Sequence, residues 1–142
     1  MPIDGLFNTT VELLGKSIDL RVRNQSRISA NVANAETPGY TPTRLSFEGE
    51  LKEALQAEKK GTTKTVAPHP RHIPVKGGGQ SILTVQGSIE EVPAPNAGRD
   101  DNRVELEQEM VQMAENQILY NASVQMIAKK FEGLKLAIKG TN

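Results

Sequence analysis

The feature that most limits what this chain can become is an apolar residue recurring every four and then three positions at both of its ends. Near the start, Phe7, Val11, Leu14, Ile18, Ile28 and Val32 keep this step, with Arg21 and Gln25 as polar members and Ala35 at its close. Near the end, Leu106, Met110, Met113, Tyr120, Val124, Ile127, Phe131, Leu134 and Ile138 keep it again, with Gln117 as the polar member. A sustained 4-3 step holds one stripe of a helix against a partner, which is the seam of a coiled coil. The two segments would span about 43 and about 50 Å at ~1.5 Å per residue. Paired antiparallel, they bring Gln25 near Tyr120 and Gln117 near Ile28, so the polar members share one layer. We therefore expect a mainly α fold. Its long N- and C-terminal helices pair as an antiparallel coiled coil, with a short helix and a small irregular or β-rich insertion between them.

Punctuation divides the chain. Residues 1–36 read as the first coiled-coil helix. At Thr37-Pro38-Gly39-Tyr40 the helix must stop, because Pro38 disfavours the α region for Thr37 and offers no N–H. Pro38 and Gly39 suit the two central positions of a type II turn, where Gly39 takes positive φ. Residues 37–45 are this turn and an extended segment. Phe47, Leu51 and Leu55 mark a short amphipathic helix over 46–59. Residues 60–101 form the insertion, with β-prone pieces at Thr62–Val66, Ile82–Val85 and Ser88–Val92. Pro68, Pro70, Pro74 and Gly77-Gly78-Gly79 separate them and leave a hinge. Residues 102–140 are the second coiled-coil helix. Asn102 is the expected N-cap, Glu105 completes a capping box, and Gly140 follows the last turn.

The chemistry-bearing residues point away from catalysis. Seventeen basic residues balance seventeen acidic ones, so the net charge is zero and no phosphate-tracking surface is expected. Arg21, Arg23 and Arg27 read as a solvated helix face. With no cysteine there is no thiolate metal site and no disulfide. Met1-Pro2-Ile3-Asp4 lacks the basic and then apolar regions of a secretory signal. His69 and His72 have no further metal ligands close in sequence. No Ser-His-Asp spacing stands out, and the triple glycine is not followed by the Lys-Ser/Thr of a phosphate loop. Asp100, Asp101, Glu105, Glu107 and Glu109 suit the positive end of a helix without any cation. The sequons at Asn8, Asn24 and Asn121 all fall in predicted helix. No catalytic residue, metal, cofactor, nucleic acid or small-molecule substrate is expected.

Two further stripes run beside the seams at seven-residue spacing: Leu6, Leu13 and Leu20 on the first helix, Val104, Val111 and Ile118 on the second. They widen the apolar surface beyond what one helical partner covers. Either other subunits shield them or the middle segment does. We expect intersubunit surfaces, and an isolated chain whose folding is completed by association.

The stretch Asn31-Val32-Ala33-Asn34-Ala35-Glu36-Thr37-Pro38-Gly39-Tyr40 resembles the N-terminal motif of bacterial flagellar rod, hook and related axial proteins, roughly Asn-x-Ala-Asn-x-x-Thr-Pro-Gly-Tyr. Its matching positions here are Asn31, Ala33, Asn34, Thr37, Pro38, Gly39 and Tyr40. Pro70-Arg71-His72-Ile73, Asn102 to Met110, Met113 to Asn116 and Lys130-Phe131 narrow the resemblance to the proximal-rod members. It covers nearly the whole chain and is weakest over 60–95. The resemblance implies a structural subunit rather than an enzyme. Such a subunit leaves the cell through the flagellar type III apparatus without a cleaved signal and assembles into a helical tube in the periplasm. The implied partners are itself and other rod proteins, a rod-to-ring adaptor, the membrane ring and the export gate. The competing expectation is a soluble coiled-coil adaptor, or an export-linked binding module, that never polymerises.

Overall fold

A computed structural model of the chain describes residues 9–59, 81–92 and 103–140. Its elements, in order, are helix α1 (Thr9–Ala33), strand β1 (Thr43–Ser46), helix α2 (Glu48–Lys59), a 3-10 turn (Ile82–Thr84), strand β2 (Ser88–Glu91) and helix α3 (Leu106–Lys139). The fold is mainly helical, with the two long helices packed together and the small elements between them in sequence.

The long helices run antiparallel. Asn31 meets Glu109 and Gln25 meets Asn116. Thr10, Leu13 and Leu14 share a groove with Met126 and Lys130. The partnered positions slide in opposite directions along the two chains. The register differs by about one helical turn from the expected one: Gln25 faces Asn116, not Tyr120. A polar layer does cross the helix pair, but Asn116 supplies it and Gln117 does not. Gln117 is exposed and bonds Asn121 one turn further along its own helix.

The largest apolar cluster does not lie between the long helices. It gathers Leu20 from α1, Leu45 of β1, Phe47, Leu51 and Ala54 around α2, and Ile82 and Val85 at the 3-10 turn. Leu13 and Leu55 pack against it, half-buried. Alternation builds the entry to this cluster. Leu45 and Phe47 both point inward across Ser46, as period-two side chains of a strand do. Phe47 then begins the helix, its carbonyl accepting from the Leu51 N–H at 2.9 Å.

β1 and β2 form a two-stranded antiparallel sheet in which Leu45 faces Ile89 and Thr43 faces Glu91. The strand expected over 88–92 forms as β2. The one expected over 82–85 is a 3-10 turn instead. Thr84 donates from its backbone N–H and its hydroxyl to the Ser81 carbonyl, and this curls the segment so that Ile82 and Val85 both enter the core. β1 begins inside the stretch expected to be extended over 37–45, and its pairing with β2 is the part that the expectation lacks. Thr62–Val66, His69, His72, the triple glycine, Asn102 and the acids at 100–101 lie outside the described residues. Helix α3 starts at Leu106 with Glu105 in the cap position and no side-chain cap bond, so Glu105 does not close a capping box.

Candidate assembly site: the Asn31 clamp and the outer face of α3

The motif at 31–40 is a helix stop joined to a clamp. The last turn of α1 tightens as Ala35 N–H donates to the Val32 carbonyl and Asn34 N–H reaches both Ala30 and Asn31. Asn34 Nδ2 also donates to the Ala30 carbonyl at 2.8 Å, a second bond to the oxygen that its own N–H reaches, which pins the side chain over the end of the helix. The Thr37 hydroxyl donates to Asn34 Oδ1. Tyr40 N–H then closes a turn onto the Thr37 carbonyl at 3.2 Å, with Gly39 at φ +73°. That positive φ is the requirement that a type II turn places on its third residue. Asn34, Thr37, Pro38 and Gly39 thus reverse the chain. Ala33 is the last residue of α1, and its small side chain is exposed there.

The reversal delivers β1 to Asn31, which is buried. Asn31 Nδ2 donates to the Thr43 carbonyl at 2.9 Å and to Glu109 Oε2 at 3.0 Å. Asn31 Oδ1 accepts from the Thr43 N–H and from the Tyr40 hydroxyl, both at 3.1 Å. Two donors and two lone pairs are all that a primary amide has, and all four are used. Towards Thr43 the side chain acts as a neighbouring strand would, offering one donor and one acceptor. Asn24, one heptad earlier, accepts from the Leu45 N–H at 3.3 Å. Two asparagines on α1 therefore cover the edge of β1 that β2 leaves open, where bare backbone groups would be costly.

The same clamp sets the partner helix. Glu109 is almost fully buried in the first turn of α3, where the helix dipole favours its charge, and it accepts from Asn31. Two turns on, Asn116 Nδ2 donates to Gln25 Oε1 at 2.8 Å and to the Arg21 carbonyl at 3.0 Å. Arg21 is not a solvated member of a basic face. Its side chain is only 12% exposed and lies 5.5 Å from the Phe47 ring centroid, with Glu48 4.0 Å away. Arg23 and Arg27 are exposed.

The seam residues separate into two sets. On α1, Ile28 is buried and Val11, Leu14, Ile18 and Val32 are half-buried; Phe7 lies outside the described residues. On α3, Met113, Tyr120, Ile127 and Leu134 are half-buried towards α1. Leu106, Met110, Val124, Phe131 and Ile138 are exposed instead. The helix is turned by about one residue, which brings Glu109 and Asn116 inward where Met110 and Gln117 were expected. The cause is the polar complement on α1, since Asn31, Gln25 and the Arg21 carbonyl pair with an acid and an amide but not with a methionine. In the sequence Glu109 reads only as an acid at a helix start and Asn24 only as a sequon, because polar residues are normally scored against a seam. The signal that could have found Asn24 is its seven-residue spacing from Asn31 along the Leu13–Leu20 stripe.

That stripe also divides. Leu20 is fully buried in the core, so it faces the middle segment rather than another subunit, whereas Leu13 is half-buried against that core and also lines the groove with Met126 and Lys130 of α3. Val104 is likewise buried. Leu6 lies outside the described residues. Val111 and Ile118 are 64% and 67% exposed. Ten of the thirteen exposed large apolar residues among those described belong to α3. A helix that is apolar on nearly every side is normally enclosed, yet α1 covers one side of this one.

No protein-family model matches the chain. Curated proteins do. The flagellar basal body rod protein FlgB of Escherichia coli K12 is 27% identical over 129 residues, which span 89% of this chain and 91% of that protein. FlgB of Proteus mirabilis is 27% identical over 139 residues, covering 96% and 98%. FlgB of Borreliella burgdorferi is 25% identical over 134 residues, covering 94% and 98%. With similarity running almost end to end, from enterobacteria to a spirochaete, and with the motif at 31–40 folded into a complete clamp, the chain is similar along nearly its whole length to the FlgB proteins of the flagellar basal-body rod.

Proposed function

We propose that the chain is a structural subunit of the bacterial flagellar basal-body rod, laid down in its proximal part and serving motility. Its work is mechanical, not catalytic. The observation that carries the reading is the outer side of α3, whose apolar side chains no element among the described residues shields. Sister subunits and other rod proteins would cover them, and the free energy of that burial would hold the tube together. The clamp around Asn31 serves the same end, because it fixes α3 relative to α1 and so presents the outer side in one geometry.

Finer assignments follow from the resemblance. The subunit leaves the cell through the flagellar type III apparatus without a cleaved signal and reaches the periplasm. There it joins the rod-to-ring adaptor, membrane ring and export gate to the distal rod. The seam residues that stay covered, Ile28 on α1 with Met113, Tyr120, Ile127 and Leu134 on α3, hold the helix pair, and Val111 and Ile118 remain as intersubunit contacts.

Complementation tests the reading. In a strain lacking the gene, the wild-type chain should restore swimming in soft agar and co-purify with basal bodies. The Val111→Glu/Ile118→Glu variant should fold, fail to restore swimming and be missing from basal bodies. Recovery of the wild-type protein only from the cytosol would remove the rod and leave a soluble adaptor.

A further inference from the structure

On the side of α1 turned away from α3, residues at helical spacing meet the sheet and enclose a groove of about 380 Å³. Arg23, Arg27 and Ala30 form one wall, and Leu45, Gln86 and Ile89 line the other. The groove has an apolar floor and a basic rim. Ile89 is 55% exposed beside it. Arg27 has no ion-pair partner among the described residues, and Arg23 has only the exposed Asp19 at 3.2 Å. Exposed pairs of that kind hold an arginine weakly and leave it available.

On the opposite side of the molecule, the first three turns of α3 show the complementary surface. Residues 107, 110, 111, 114, 115 and 118 recur at helical spacing on the face pointing away from Glu109 and Asn116, and all are exposed. Met110, Val111, Ala114 and Ile118 make an apolar strip flanked by Glu107 and Glu115. A helix with this pattern fits an apolar groove bordered by cations.

We propose that these two surfaces bind each other between copies of this chain: the outer face of α3 of one copy docks in the α1–sheet groove of the next, with Glu107 and Glu115 against Arg23 and Arg27. This deepens the subunit reading above and rests on it. The two surfaces face opposite ways on one molecule, so the contact is head-to-tail. It leaves one groove and one helix face open at every step, which is how an open array grows and a closed dimer does not. Opposite charges on the two surfaces also fix which face meets which, since groove-to-groove and helix-to-helix contacts place like charges together.

A charge swap tests this on the full-length chain. Arg23→Glu/Arg27→Glu makes the groove acidic like the helix face. Glu107→Lys/Glu115→Lys makes the helix face basic like the groove. Each double variant should keep the far-UV circular dichroism of the wild type, because all four residues are exposed. In sedimentation velocity, each alone should self-associate at least about tenfold more weakly than the wild type. Mixed in equal amounts they should associate again, since every junction between unlike variants pairs opposite charges. Co-expression of the two should likewise restore swimming where neither does alone. The contact is overturned if either variant associates like the wild type. It is also overturned if the mixture is no better than its components, or if the wild type stays monomeric throughout. Wild-type protein found in purified basal bodies alongside any of those results would leave the subunit reading standing and remove only this contact.

Discussion

The two long helices carry the same 4-3 spacing but lead different lives. α1 is covered on two sides. Leu20, Asn24, Ile28 and Asn31 are buried along it, between α3 and the strand–helix cap. α3 is nine residues longer, yet the buried residues along it are Glu109 and Asn116, both polar. The helix that is more apolar in sequence is the one left open. Apolar spacing therefore reports that a face will be covered and is silent about who covers it. On α1 the cover comes from the same chain. On α3 the described residues leave that face exposed.

The contrast rests on Asn31, so the sharpest way to break it is Asn31→Asp. The new carboxylate would face the Glu109 carboxylate at hydrogen-bond distance, and the Thr43 carbonyl would lose its donor. We expect a loss of about 4 kcal/mol in urea unfolding, since an uncompensated buried charge is among the most damaging single changes. Adding Glu109→Gln should recover part of it, because an amide there can donate to the introduced carboxylate; full additivity of the two changes would show that the residues do not couple.

Gly87 tests the cap that covers α1. It sits at φ +72°, and a Cβ there would stand 3.0 Å from Phe47 Cβ and from the Ser46 carbonyl oxygen. Gly87→Ala should cost about 2 kcal/mol, read as a drop in the thermal midpoint, by combining backbone strain with a clash against backbone that cannot yield. An unchanged midpoint would mean that the cap is loosely held and that α1 is less enclosed than its burial shows.

Asn116→Leu probes the polar layer in the opposite direction. It exchanges two hydrogen bonds for apolar burial against Gln25 and Ile28, and should stabilise the monomer by about 1 kcal/mol while loosening the register. Engineered cysteine pairs at 25/116 and 25/120 would then form disulfides at comparable yield, where the wild-type background should favour the first. The smallest effect on the monomer belongs to the outer face. Val111→Ser/Ile118→Ser should shift stability by no more than about 0.5 kcal/mol, as surface changes do. A much larger loss would place these side chains inside the subunit and erase the contrast between the helices.

Much of the architecture could be read directly. Long periodic segments at both ends, a turn fixed by Pro38 and Gly39, and Phe47-x3-Leu51-x3-Leu55 each state their local structure with little dependence on distant contacts. The clamp was legible only as a motif: its residues stood out, but nothing local says that the Asn31 amide will meet Thr43, Tyr40 and Glu109 at once. The pairing of β1 was hidden for a related reason. Four residues of mixed polarity between a turn and a helix do not announce a strand, and this one exists because Asn24, Asn31 and β2 supply its backbone with partners. Leu20 and Val104 carried a pattern that fits an outer stripe as well as an inner one, and only packing distinguishes the two.

The sequence by itself determined where helices form and stop, because those choices are settled by steric limits on φ and ψ and by side-chain period over a few turns. Tertiary structure alone decided how α3 is rotated against α1. Hydrophobic burial is non-directional and tolerates several rotations of an apolar helix, whereas the hydrogen bonds from Asn31 and Asn116 demand particular distances and angles. Those few polar contacts, 78 and 91 residues apart along the chain, turn the oily side of α3 outward.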